Sequence, residues 1–321
     1  MPTDADPADR TARAVTAATA AGRALGLRVE DPRVLHDAFS VVVHLAPAPV
    51  VVRVPTVLPD YLHSEAQLAQ QRSELAVTEW LADGGHPVVP PSPLVPREPV
   101  RRDGFSMTFW QFVPEVGNGE EGDGEEGDAA PDYAARIART ARLHAALRDH
   151  PGAGLGFLTA TRAFVPTGLS ALERRPGPLT VADLDRAQRE WYVLAGPLAS
   201  REAFETAFPG VSVQPIHGDA PFHNTIVTAA GELWSDFELV TTGPVEYDVT
   251  VADARAVAGY DATARQLGLR PLDARVRRVV NAAAALSAVA ALSMARRLPM
   301  LTDALAPALA AWRSTPEVTA P

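Results

Sequence analysis

The 321-residue chain contains no cysteine and no lysine. Without cysteine there are no disulfides, iron–sulfur clusters or thiolate nucleophiles, so every nucleophile or metal ligand is an oxygen or an imidazole nitrogen. Without lysine, all 29 basic residues are arginines. Schiff-base chemistry is thereby excluded, and a phosphate-binding cation has to be a guanidinium. Positive charge is also in the minority. The formal net charge of −10 argues against a nucleic-acid partner, which would call for a basic stripe. The first residues, MPTDADPADRTARAV, are acidic and polar, unlike a signal peptide, and the expected location is cytoplasmic. Long hydrophobic runs are scarce. The most apolar, residues 279–295, is mostly alanine and is interrupted by Asn281, Ser287 and Ser293. It is short for a bilayer and reads as a buried core helix, so no membrane partner is expected.

What is present divides the chain in three. The first 30 residues read as an alanine-rich helix. Residues 41–45 and 50–54, two valine-rich runs joined by APAP, predict an antiparallel hairpin. A helical pattern follows over residues 64–83 and stops at Gly84-Gly85, and FSMTFWQFV (105–113) predicts a further strand. Residues 1–113 thus form a small antiparallel sheet with one long helix. Residues 114–131 are a linker whose centre, GNGEEGDGEEGD, holds two overlapping G-x-G-x-x-G matches. A phosphate cradle is rejected there, because six carboxylates sit among those glycines and no apolar helix follows; the segment reads as flexible and solvated. Residues 132–321 are mainly helical. Asp132 is a candidate cap for a helix with Tyr133, Ile137, Thr140, His144 and Leu147 on one face, and Thr180 with Asp183 forms a candidate capping box. Only the stretch near 211–240 breaks this pattern, with the β-rich runs VSVQPI, NTIVT and ELWSDF.

Between the first two of those runs lies HGDAPFHN, residues 217–224. A metal site, a catalytic loop and a polar turn all compete as explanations. Phosphoryl transfer needs a carboxylate to accept a hydroxyl proton, oxygen ligands for magnesium and a cation on the phosphates. Asp219 and Asn224 are five apart, and Asp236 follows twelve residues later; Asp and Asn are hard donors suited to Mg²⁺ and poor for zinc.

HGDAPFHN…SDFE resembles the catalytic and metal loops of the aminoglycoside phosphotransferase and choline kinase-like family, relatives of the protein kinases. The resemblance covers about residues 34–255 and is densest at 217–248. It implies a two-lobed α+β protein-kinase-like fold and a kinase using ATP (or GTP) and Mg²⁺ to phosphorylate a small hydroxylated substrate. It makes Asp219 the catalytic base and Asn224 and Asp236 the magnesium ligands, with His217 and Asp248 supporting the loop. In the front lobe it implies that Arg53 binds phosphate in place of a lysine, with Glu74 as its partner ahead of Glu65 and Glu79. It further implies that Ser40 contacts phosphate and that backbone groups near Trp110 and Phe112 meet adenine. The chain departs from the pattern at Ala220, Pro221 and His223, and its covering loop LHDAFS has no glycine. A nucleotide-binding pseudokinase without turnover is therefore the alternative. Protein phosphorylation is disfavoured, since no activation segment is recognisable after Asp236. His217, Asp219 and His223 as a transition-metal site lack a fourth ligand. Glu238 and Glu246 face either a cationic substrate or solvent. The remaining histidines, His144 among them, receive no role.

Overall fold

The computed structural model describes residues 7–116, 133–220, 224–250 and 252–318. The core of the expected linker, the Asp132 cap and His223 lie outside these. Helix α1 (Pro7–Ala24) is followed by strands β1 (Val29–Asp37), β2 (Ser40–Pro47) and β3 (Val50–Pro55), helix α2 (Ser64–Asp83), and strands β4 (Val100–Arg102) and β5 (Phe105–Gln111). The strands form one sheet in the order β1-β2-β3-β5-β4, every neighbouring pair antiparallel. The expected hairpin is β2–β3, with Val43 opposite Val52.

Period-2 alternation decides what each face of this sheet does. Val50, Val52 and Val54 are fully buried with Val41, Val43 and Leu45 against Ala14, Ala17, Ala18 and Ala21 of α1. Small alanines let the helix lie close on the valine face. The intervening residues, Val51 and Arg53, point the other way. Val51 packs with Trp110 and Leu75, together with Ile226 and Leu233 from the second half of the chain. Helix α2 is tied to the sheet by the Gln71 side chain, whose Nε2 donates to the Ser106 carbonyl at 3.1 Å. Its N-cap is His63, whose ring accepts from Ala66 N–H.

The second half comprises α3 (Tyr133–Arg148), α4 (Thr159–Arg174), α5 (Val181–Ala195), α6 (Arg201–Ala207), β6 (Gln214–Ile216), β7 (Thr225–Thr228), β8 (Gly231–Trp234), β9 (Thr241–Gly243), α7 (Ala254–Gln266), α8 (Ala274–Ala291), α9 (Met300–Ala304) and α10 (Ala306–Ser314). On α3, Ile137, Thr140, His144 and Leu147 are all fully buried, the face expected from the sequence. The Thr180–Asp183 capping box is formed at the start of α5. Strand β6 pairs with β9 and β7 with β8. The stretch Ala274–Met294 is long and apolar enough to cross a membrane by length and composition, but Val276, Val280, Ala283, Leu286 and Val289 of α8 lie in the interior of the large helical core.

The halves also share interior. Val57, just after β3, packs with Met294, Leu298 and Leu301, and Phe164 of α4 joins them. Tyr61 meets Phe164 edge-on at 6.2 Å, and Arg297 pairs with Asp60 at 3.3 Å.

Candidate active site

The loop after β6 is built around one buried carboxylate. Asp248 is fully buried and accepts the backbone N–H groups of His217 and Gly218, each at 2.8 Å, and His144 Nε2 at 3.0 Å. A carboxylate accepts only, so His144 presents Nε2–H to it, and its Nδ1 then accepts the Tyr260 hydroxyl at 2.7 Å. Three helical segments (α3, α7 and the 3₁₀ turn Val245–Val249) thus hold one loop. Gly218 has φ +88°, and a Cβ there would stand 2.1 Å from the Leu239 carbonyl oxygen, so this position admits no side chain. His217 is fully buried beside Phe237 and Trp234. Its Nδ1 accepts Asp219 N–H at 3.3 Å while Nε2 contacts the Ser235 carbonyl at 3.0 Å, and burial lowers its pKa. With both ring nitrogens engaged it is no metal ligand, which overturns the His217/Asp219/His223 alternative. His144 received no role from its spacing; its one signal is a polar residue on the apolar face of α3.

Asp219 stands at the rim of this loop. Asn224 Nδ2 donates to its carbonyl at 2.8 Å and to its Oδ2 at 3.0 Å. Loss of water pushes the Asp219 carboxyl up to about 7, assisted by Asp236, Glu238 and Asp248 and opposed by the Asn224 hydrogen bond. The residue is nonetheless exposed on the side that opens into a cavity, and solvent there screens part of that shift.

Arg53 is the second centre. Only 8% exposed, it reaches Asp236 Oδ1 at 3.2 Å, makes a short ion pair with Glu238 Oε2, and lies 3.8 Å from Glu74 Oε2. Of the three candidate partners on α2, Glu74 is the one turned inward; Glu79 pairs with Arg97, and Glu65 stands exposed in the first turn. Three carboxylates share one guanidinium. Burial therefore raises the pKa of Glu74 and of Glu238, against the attraction of Arg53, and both Glu74 oxygens are buried without a hydrogen bond. Asp236 sits in the left-handed region (φ 57°, ψ 57°), a conformation that costs energy and has to be held by its surroundings. Gln70 of α2 helps by donating to the next-but-one carbonyl, Glu238 O, at 2.8 Å.

The other expected nucleotide contacts are arranged as follows. Ser40 is buried at the start of β2. The preceding turn is held down by the Phe39 carbonyl, which accepts from Thr56 and Val57 N–H. Trp110 pairs with Val51 inside the sheet, and its indole N–H donates to Thr108. Phe112 N–H is already used by the Pro49 carbonyl at 3.0 Å, so this residue has only its carbonyl to offer a base. Its ring stacks on His44 at 3.8 Å. Glu246, open in the sequence between substrate and solvent, is fully buried and bound by Arg270 and Asp273 N–H; it faces neither.

Among the described residues no group of three or more His, Asp or Glu side chains is placed to hold a metal ion. Mg²⁺ asks for less, being commonly held by one or two carboxylates with the rest supplied by phosphates and water. Asn224 and Asp236 fit that demand in kind: both offer hard oxygens, and Asp236 Oδ1 is engaged by the Arg53 ion pair but by no hydrogen bond.

No family model and no curated protein sequence matches the chain. Solved structures do. An aminoglycoside phosphotransferase in complex with GDP and kanamycin is 16% identical, covers 89% of this chain and 93% of its own, and superposes with a TM-score of 0.56. Choline kinase LicA from Streptococcus pneumoniae is 12% identical over 90% and 98%, with a TM-score of 0.56. A macrolide 2'-phosphotransferase from Brachybacterium faecium is 16% identical over 94% and 99%, with a TM-score of 0.51. The chain has the protein-kinase-like fold of these phosphotransferases. Within that fold β1–β5 with α2 form the small lobe and α3–α10 the helical lobe, and the resemblance drawn from the HGD loop led to the architecture found.

Proposed function

We propose that the chain is a nucleotide-dependent phosphotransferase acting on a hydroxyl of a small molecule. The carrying observation is the convergence of Asp219, Asn224, Asp236 and Arg53, from three separate elements, beside a cavity. Asp219 accepts the proton of the acceptor hydroxyl. The acceptor oxygen then bonds to the γ-phosphorus, the bond to the β–γ bridging oxygen breaks, and nucleoside diphosphate departs. Asn224 keeps the Asp219 carboxylate oriented through its Nδ2 donor, and Arg53 supplies the cation at the phosphates. Ser40 lines the same cavity, and Val51 with Ile226 and Leu233 supplies apolar surface for a base. Asn224 and Asp236 would hold Mg²⁺, whose chemistry when bound is to neutralise phosphate charge. ATP is the preferred donor, with GTP the alternative, since one similar structure was solved with GDP.

Asp219→Asn tests the assignment. As a base Asp219 meets the acceptor and not the nucleotide. The variant should keep the thermal shift produced by ATP with Mg²⁺ while kcat falls by about 10²–10⁴-fold. Turnover equal to the parent's would remove Asp219 as base. An ATP shift with no turnover of any acceptor in the parent would leave the pseudokinase reading, which the glycine-free turn before β2 favours.

A further inference from the structure

The cavity that Asp219 faces has a volume of 390 Å³ and a composition that specifies its occupant. Its roof is the segment after β3, contributing Val57, Leu58, Tyr61 and Leu62. Its floor is helical, with Thr161 and Phe164 from α4, Ala284 and Ser287 from α8, and Met294 beyond it. Two carboxylates reach the wall, Asp219 and Glu238, and no arginine or histidine does among the described residues. Glu238 is already held by Arg53. Asp219 is then the one charge available to an acceptor, and the proposed reaction uses it to take a proton.

We infer that the acceptor is a small, uncharged alcohol with an aromatic or aliphatic body, and not a polyamine-bearing sugar or a quaternary amino alcohol. This rests on the phosphotransferase reading of the same site. The physical argument is desolvation. An ammonium group moved from water onto this wall finds Asp219 as the one carboxylate without an ion pair among the described lining residues, and pairing with it would take away the base that the reaction needs. Of the described carboxylates in the helical lobe, Glu246 is paired with Arg270 and Asp273 caps α8. An apolar body instead gains by leaving water and packing against Phe164, Leu58 and Met294. The remaining polar side chains of the wall are hydroxyls and the Gln70 amide, which donates to the Glu238 carbonyl. Tyr247 and Thr161 are hydrogen-bonded to each other and Ser287 to the Ala283 carbonyl, so they suit a neutral hydroxylated guest. Size agrees. The cavity holds about a dozen waters at roughly 30 Å³ each, so the part of the acceptor that reaches Asp219 has one ring or two.

The experiment compares cinnamyl alcohol and geraniol with kanamycin and choline. Binding is read by saturation-transfer NMR and turnover by ADP release with ATP and Mg²⁺. Ala284→Trp fills the cavity from α8 and leaves both Asp219 and Arg53 in the chain, and Ala284→Leu replaces it if the tryptophan variant does not fold. Both neutral alcohols are expected to bind, and to lose binding at least tenfold in the filled variant, while the thermal shift with ATP and Mg²⁺ is retained. Preferential binding or turnover of kanamycin or choline, no binding of either neutral alcohol, or binding that survives cavity filling each overturns the inference. The two readings fail separately. Absence of an ATP shift in the parent removes the kinase assignment, whereas turnover of kanamycin alone removes only the acceptor class.

Discussion

Replacing Asp248 by asparagine tests the frame of the site without any ligand. The side chain keeps its size, but one oxygen becomes an NH₂. Oδ2 serves two donors, His217 N–H and His144 Nε2–H, and Oδ1 serves Gly218 N–H. The less costly orientation therefore keeps the oxygen at the Oδ2 position and turns the amide toward Gly218. There a buried N–H then faces another donor, which costs about 1–3 kcal/mol. The two surviving bonds fall from charge-assisted to neutral strength, losing about 1 kcal/mol each. The sum is about 3–5 kcal/mol. Unfolding entropy is about 2.1 cal/mol/K per residue, so this chain has about 0.7 kcal/mol/K and Tm should fall by about 5–7 °C. Differential scanning calorimetry measures it directly. Asp253→Asn is the control: this exposed aspartate caps α7 through one accepted hydrogen bond from Ala256 N–H, a bond asparagine also makes. A Tm change below about 1 °C for Asp248→Asn would mean that the loop does not depend on this carboxylate, and the account of how Asp219 is held would fail.

Three further changes have definite signs. Gly218→Ala should lower stability by more than about 2 kcal/mol, because it adds a Cβ at positive φ against the Leu239 carbonyl; a variant with parental Tm would refute the loop geometry. Glu74→Gln reports on protonation. A folded pKa raised by burial above the ordinary carboxyl value of 4.5 gives stability that is complete below that value and lost as pH rises toward the folded one. The Tm of Glu74→Gln relative to the parent should therefore climb from pH 5 to pH 8, and a flat or falling difference would show Glu74 ionised in the folded protein. Arg53→Met removes the one guanidinium among three carboxylates. Breaking a buried ionic cluster costs about 3–5 kcal/mol, and the loss should shrink on acidification as Glu74 and Glu238 take up protons; a loss independent of pH would show that Arg53 acts through packing alone.

Much of the site was legible because it is local. HGD, Asn224, Asp236 and Asp248 lie within 32 residues, so spacing alone brings them near each other, and the hairpin carrying Arg53 announces itself by its valines. What was not legible depends on distant contact. Strand β1 went unread because it is an edge strand whose side chains are mostly exposed and which contains Pro32, so it lacks the alternation that marks a half-buried strand. The resemblance ranked Glu74 ahead of Glu65 and Glu79, but which of them turns inward is decided by how α2 docks. His144 and Tyr260 are 116 residues apart, and neither residue type announces a contact. The pairing of β6 with β9 was equally hidden, since three residues are too few for a pattern.

The clasp formed by Val57, Met294, Leu298 and Leu301, with Tyr61 on Phe164 and Asp60 on Arg297, makes the small lobe a dependant of the far C-terminal helices. Residues nearly 240 positions apart occupy one apolar nucleus, so the lobes should melt in a single transition and not in sequence. The roof of the cavity beside Asp219 is anchored by this same nucleus. Replacing Met294 and Leu298 by alanine would therefore loosen Val57 and segment 57–62, and the first property lost would be the shape of the cavity beside Asp219, while Arg53 and its carboxylates, fastened through α2 and Asp236, would still be in place.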